Sequence, residues 1–234
     1  GLKKDSSEIF KKLKIYKKIN FYNQNILDFK KVNSLIKKYK PDLIIHLAAQ
    51  SIVAESYVDP IDTFKTNVIG SANIIRIAQE QKIPGLVYIT SDKCYLNKET
   101  LSPYKEDDQL GGIDFYSSSK ASAELLFYSY YKNFYNKNKY LKIASARAGN
   151  VIGGGDTKKF RIIPDLYSSI KKKKKTFYLR SPNSIRPWQH VLEPITGYMT
   201  LGKKILNNEL SSNLYPSWNF GPNRKKCLYS KKFV

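Results

Sequence analysis

The sequence is short of several residues that usually signal a particular way of life. Its 234 residues include two cysteines, two histidines, two tryptophans and one methionine. Cys94 and Cys227 lie far apart, without the spacing of a redox pair or a zinc knuckle, which argues against a disulfide framework and against a metal site. Such cysteine usage fits a reducing cytoplasm, and no metal is expected. Long apolar runs are lacking too. LIIHLAA at 43–49 is far below the length that crosses a bilayer and contains a histidine, so no membrane is expected as a partner. No secretory leader is expected, although the chain opens on Gly1.

Arginine is the next scarcity. The formal charge is +22, which taken alone suggests nucleic acid or an anionic surface. Yet only Arg76, Arg147, Arg161, Arg180, Arg186 and Arg224 carry the planar guanidinium that base and phosphate recognition recruits. The rest of the basic residues are lysines spread over nearly every segment, which reads as exposed-surface composition, and no nucleic acid is expected as a partner. KKKKK at 171–175 reads as a helix end or a solvated loop. Four of the six arginines fall between 147 and 186, where a phosphate would be sought.

What is present is enough apolar material, 41% of residues, for a real core. DFKKVNSLIKKY at 28–39 sets Val32, Leu35, Ile36 and Tyr39 at helical spacing. A strand, DLIIHLAA, follows Pro41. The spacing then predicts a helix over 60–81 with Pro60 as its first residue and Phe64, Val68, Ile69, Ala72 and Ile75 on one face. GLVYIT at 85–90 is the next strand, a helix is predicted over 116–135, and LKIASAR at 141–147 is a third strand. Strands that are apolar nearly throughout, alternating with helices, indicate a doubly wound parallel α/β sheet covered on both faces. After Arg147 the texture changes to glycines and scattered prolines, so residues 151–234 are expected to form mostly a second, smaller lobe. In such sheets ligands bind beyond the carboxyl ends of the strands, where 48–51, 91–93 and 149–150 should meet.

TSDKCY at 90–95 places Asp92 and Lys93 side by side where a strand runs out. They could be a solvated surface pair or an acid and a base. YSSSK at 116–120 places Tyr116 and Lys120 four apart on one helix face. A nearby ammonium would favour the phenolate and lower the tyrosine's pKa. The Tyr-x-x-x-Lys spacing is weak by itself in a chain with 18 tyrosines.

Together, HLAAQ (46–50), TSDKCY, YSSSK, SARAGNVIGGGD (145–156), RIIPD (161–165) and IRPWQHVLEPITGY (185–198) resemble the CDP-glucose 4,6-dehydratases, a branch of the extended short-chain dehydrogenases/reductases. The resemblance runs from about residue 20 to Pro222. The SDK and RPWQHV segments distinguish it from the dTDP-glucose dehydratases, which carry Asp-Glu at 92–93. It implies a Rossmann-type domain over 1–150 and a nucleotide-sugar lobe over 151–234.

The implied activity is dehydration of CDP-glucose to CDP-4-dehydro-6-deoxyglucose with tightly bound NAD. A hydride leaves carbon 4 while Tyr116, assisted by Lys120, takes the hydroxyl proton. Lys93 then removes the proton on carbon 5, Asp92 protonates the departing hydroxyl of carbon 6, and Ser91 positions the carbon 4 hydroxyl. For these roles Asp92 must stay protonated and Lys93 must be neutral when it acts, and burial could supply both conditions. Cofactor contacts are implied for Asn25, Ile26, Leu47, Ala48, Ala49, Gln50, Asn67, Tyr116 and Lys120. Substrate contacts are implied for Ser51, Asn150, Arg161, Arg186 and His190, the arginines suiting a diphosphate. A surface salt bridge is the alternative for Arg161, where TKKF departs from the usual preceding residues, and a satisfied interior position is the alternative for His190. Asn25 stands where the family has Asp. A homo-oligomer is expected.

A glycine-rich turn after a first strand, which cradles a dinucleotide's pyrophosphate, is not found. Gly1 aligns just after the family's second strand, so a βαβ unit of roughly 30 residues is expected to lie outside this sequence, as is part of the substrate lobe. Alone, the chain is expected to bind NAD poorly. Two other readings stay open: an epimerase or decarboxylase on the same scaffold, and a non-catalytic remnant or basic binding protein.

Overall fold

The computed structural model describes residues 10, 12–100, 102–135, 141–210, 216–223 and 228–229. Arg224 and Cys227 lie outside them. Helix α1 (Phe29–Tyr39) starts where the Asp28 carboxylate accepts the Lys31 N–H at 3.2 Å, and ends on Lys40 in the left-handed region. Strand β1 (Leu43–His46) follows, then two short helices, α2 (Val53–Val58) and α3 (Pro60–Phe64). A π-helical turn, Lys65–Gly70, joins α3 to α4 (Ser71–Glu80). Strand β2 (Gly85–Ile89) leads to α5 (Phe115–Tyr130), which continues as a π turn to Tyr135. Strand β3 (Lys142–Ala148) is followed by β4 (Val151–Ile152), α6 (Ile162–Lys171), β5 (Ile185–Arg186) and β6 (Gln189–His190). Helix α7 (Leu192–Leu206), β7 (Ser217–Phe220) and β8 (Leu228–Tyr229) complete the described elements.

Strands β1, β2, β3 and β7 form one parallel sheet in that order, with Leu43 opposite Gly85, Gly85 opposite Lys142 and Ser145 opposite Ser217. Alternate residues of β2 face opposite layers, as the pleat requires. Leu86 and Tyr88 pack with Ile74, Ile75, Ile77 and Phe127 of α4 and α5. Val87 packs on the other face with Tyr198, Leu201 and Ile205 of α7. That helix lies close, since a Cβ on Gly202 would stand 2.4 Å from Leu43 Cδ2. The Rossmann-type reading of the sequence therefore holds, with helices on both faces of a parallel sheet.

Two expectations are corrected. The continuous helix over 60–81 is interrupted by the π turn, whose extra residue per turn rotates the later side chains. Ile69 is consequently 55% exposed while Ile75 is fully buried. The texture change at 151 also does not mark a clean lobe boundary. Residues 192–220 return to the main layer as α7 and β7, because the apolar faces of Tyr198, Leu201 and Ile205 are needed to cover β2 and β3. The run 171–175 ends α6 and continues as an exposed turn.

Candidate functional site

The carboxyl ends of β1, β2 and β3 open into a cleft of about 740 Å³, roofed by the segment 151–188. Ser51, Ser91, Asp92, Lys93, Tyr116, Asn150, Arg161 and Arg186 all line it. Each is set by its element. Ser91 is the N-cap of a short 3₁₀ turn, Asp92–Cys94, its hydroxyl accepting the Lys93 N–H at 3.2 Å and donating to Asp92 Oδ1 at 3.1 Å. Asp114 caps α5 by accepting the Ser117 N–H at 2.9 Å, which fixes Tyr116 in the first turn. Gly149 lets the strap at 186–188 lie close, since a Cβ there would stand 2.4 Å from Pro187 Cγ and 3.4 Å from Asp92 Oδ2.

Asp92 and Lys93 are half-buried, not a fully solvated pair. Burial lowers the Lys93 ammonium below the ordinary lysine range, and the Arg186 charge adds to the effect against the opposing pull of Asp92 and Asp114. A neutral amine is therefore closer to hand than on an open surface. Tyr116 behaves otherwise than its spacing suggests. Burial pushes its phenol up to about 12, and the hydrogen bond with Ser91 is the leading counterweight. Lys120 does not bring it down, because that side chain sits a turn deeper, buried near Glu124 and Cys94. Burial brings the Lys120 ammonium down to about 8, with Glu124 and Cys94 opposing.

Arg161 spans the cleft. Its Nη1 meets Asp156 at 2.9 Å and its Nη2 donates to Ser51 Oγ at 2.8 Å, so the salt bridge raised as its alternative is present together with a hydrogen bond across to the loop after β1. Arg147 is corrected as a phosphate candidate. It is 1% exposed and bound at 2.7 Å to Glu124 beneath the site. His190 is exposed and does not line the cleft; its Nδ1 accepts the Leu192 N–H at 3.3 Å where α7 begins. Arg180, which the arginine cluster suggested, lines the cleft too, together with Phe160, Tyr178 and Trp188, to which no role was given from the sequence. The aromatic residues around Arg180 were the available signal for this wall.

The implied cofactor contacts divide. Leu47 and Ala48 are exposed on the loop after β1, and Ala49 and Gln50 are half-buried. Asn67 is buried and locks that loop, accepting the Gln50 N–H at 2.8 Å and donating to the Gln50 carbonyl at 3.0 Å. Asn25 spends its carboxamide oxygen on the Leu27 N–H at 3.0 Å, and Ile26 packs beneath α4, where a Cβ on Gly70 would stand 2.6 Å from its Cδ1. Among the described residues no glycine-rich turn joins a strand to a helix N-terminus, so the pyrophosphate side has no such cradle here. Nor, among them, does any cluster of three or more metal-ligating side chains occur, and no helix is long and apolar enough to cross a membrane.

The parallel sheet and the Tyr-x-x-x-Lys helix define a nucleotide-binding α/β class, and sequence comparison makes it specific. The profile of the NAD dependent epimerase/dehydratase family matches residues 3–211. The chain belongs to that family, whose cofactor is NAD. It is 42% identical over 203 residues to CDP-glucose 4,6-dehydratase of Salmonella typhimurium, covering 85% of this chain and 56% of that protein. With dTDP-D-glucose 4,6-dehydratase of Dictyostelium discoideum it shares 26% over 202 residues, covering 81% and 45%. The chain thus spans about half the length of these relatives. Among solved structures, UDP-glucose 4-epimerase of Thermotoga maritima superposes with a TM-score of 0.77 at 19% identity, covering 91% of this chain and 65% of that one. The dTDP-glucose 4,6-dehydratase of Streptomyces venezuelae, solved with NAD bound, gives 0.73 at 19%, covering 90% and 60%.

Proposed function

We propose that this chain carries the reacting residues of a CDP-glucose 4,6-dehydratase, forming CDP-4-dehydro-6-deoxyglucose. The observation that carries the reading is the convergence of Asp92 and Lys93 with Tyr116 on one cleft, with the Lys93 ammonium destabilised by burial. The likeness to the Salmonella enzyme favours the cytidine nucleotide over its relatives.

Bound NAD supplies hydride acceptance at carbon 4 and hydride return at carbon 6. Everything else falls to side chains. Tyr116 takes the carbon 4 hydroxyl proton, with Ser91 holding that hydroxyl through the same hydrogen-bonding position it now uses toward Tyr116. Lys93, as the neutral amine, removes the proton from carbon 5 and, as the ammonium so formed, gives one back there when carbon 6 receives its hydride. Asp92, as the acid, protonates the leaving hydroxyl of carbon 6. Arg161, Arg180 and Arg186 hold the diphosphate by charge-assisted hydrogen bonds, and Asn150 faces the sugar. Leu47–Gln50 and Lys120 hold the cofactor. An epimerase needs no acid and base beyond the tyrosine and lysine, so the Asp92–Lys93 pair favours elimination.

The test incubates the purified chain with NAD and CDP-glucose, UDP-glucose or dTDP-glucose and follows each by mass spectrometry. Loss of one water from CDP-glucose alone supports the reading. Calorimetric titration with the three sugar nucleotides separates binding from turnover, and equal or absent binding of all three would overturn the cytidine assignment.

A further inference from the structure

Beneath the cleft lies a buried charge pair that the proposed chemistry does not use. Glu124 and Arg147 are each 1% exposed and meet at 2.7 Å. Glu124 accepts from four directions: Thr90 Oγ1 on one oxygen, and Arg147 Nη2, Ser145 Oγ at 3.1 Å and Ser217 Oγ at 3.4 Å on the other. Arg147 also donates to the Tyr95 hydroxyl and to the Glu106 carbonyl, both at 2.8 Å. The pair therefore ties α5, the end of β2, β3, β7 and the loop beyond the 3₁₀ turn to one point. A buried ion pair is a poor source of net stability compared with apolar side chains of the same shape. Its placement is more informative. Thr90 immediately precedes Ser91–Lys93, and Glu124 lies one helical turn beyond Lys120, on the same face of α5.

We propose that Glu124 is a positioning residue: fixed by Arg147 and three hydroxyls, its carboxylate is the buried counter-charge that keeps Lys120 an ammonium and anchors the strand end carrying Ser91–Lys93. This rests on the reading that Lys120 belongs to the site, but not on which sugar nucleotide is used. The groups acting on Lys120 are Glu124 from its own helix and Cys94 from the 3₁₀ turn, both favouring the charged amine, and the Lys120 charge in turn bears on His46 at the end of β1. Of these, Glu124 is the leading influence favouring the charged amine against burial.

The test measures the titration of Lys120 by trace acylation across pH, read peptide by peptide, in the wild-type chain and in E124Q. The amide keeps hydrogen-bonding capacity and loses the charge. The Lys120 midpoint should fall by about one pH unit or more, the size expected for losing a nearby opposite charge. E124D, which keeps the charge, should restore most of it, and S217A should lower stability without moving it. Should E124Q not fold, E124Q/R147M removes both charges from the interior and should give a smaller fall in the same direction, since loss of the Arg147 charge partly offsets loss of the carboxylate. An unchanged Lys120 midpoint in either glutamine variant, with only a lower melting temperature, would make the pair purely structural and overturn the proposal. Neither result depends on whether CDP-glucose is dehydrated.

Discussion

The carboxamide of Asn67, within the π turn, grips both backbone polar groups of Gln50, at 2.8 and 3.0 Å. Its amide also donates to Ser119 Oγ at 2.9 Å, so the loop after β1 is fastened to α5 through one side chain. Asn67→Ala removes all three bonds and strands buried groups, at a cost of about 1–3 kcal/mol for the unpaired partners. Hydrogen exchange at residues 47–52 should quicken more than elsewhere. Uniform protection in the variant would show that the loop is held by something else.

At Gly149 the expected effect is on shape. A methyl group would meet Pro187 Cγ at 2.4 Å, so Gly149→Ala must push the strap carrying Arg186 outward. The strain is of the order of 1–3 kcal/mol. Calorimetry should show CDP-glucose binding weakened about tenfold, equivalent to about 1.4 kcal/mol, with the sheet intact by circular dichroism. Unaltered affinity would place the diphosphate away from Arg186.

His46 provides a pH test. Burial, with the Lys120 charge adding to it, lowers its imidazolium to about 3 in the folded chain, against an ordinary value of 6.5. Between those values the unfolded chain takes up a proton that the folded chain refuses, so the stability this histidine contributes is present above pH 6.5 and lost as pH falls toward 3. The limiting slope is about 1.4 kcal/mol per pH unit. His46→Gln, which retains a partner for the Ser71 hydroxyl now 2.9 Å from Nε2, should flatten the urea-midpoint profile in that range. Parallel profiles for variant and wild type would mean that His46 is not the residue responsible.

If the proposed dehydration is the reaction, Asp92→Asn and Lys93→Met should each reduce water loss from CDP-glucose about 10²–10⁴-fold, the usual size of a lost acid or base. Melting temperatures should change little, since both side chains are half-buried on a turn held by Ser91. If turnover survives either change, elimination must draw its proton transfers from Tyr116 or water.

The alternation of apolar strands and helices was enough to read the parallel sheet, because Leu86, Val87 and Tyr88 are buried on both faces and leave no polar alternation to mislead. Motif spacing brought Ser91–Lys93 and Tyr116 to one place, since strand ends in such a sheet share an edge. Three things escaped. The π turn at 65–70 depends on backbone hydrogen bonding that side-chain periodicity does not encode. The fate of Arg147 turned on Glu124, a partner 23 residues away and in a different element, so composition alone offered a phosphate ligand where the fold made an interior pair. The rise of Tyr116 to about 12 reflects burial, which no i, i+4 rule measures.

The paired strands β4 and β6 give the small region an unexpected modularity. Ile152 N–H and carbonyl neighbours lie beside His190, Val191 N–H bonds to the Ile152 carbonyl at 2.8 Å and Gln189 N–H to Asn150 at 3.0 Å, so the chain departs and comes home through adjacent positions. Residues 153–188 are in effect a cassette plugged into a closed frame. A swap of that cassette between sugar-nucleotide enzymes would exchange Arg161, Arg180 and Arg186 together while leaving α7, β7 and the reacting residues untouched. A cut at residue 150, by contrast, would sever the frame itself and part β3 from β7, leaving it only β2 on its other side.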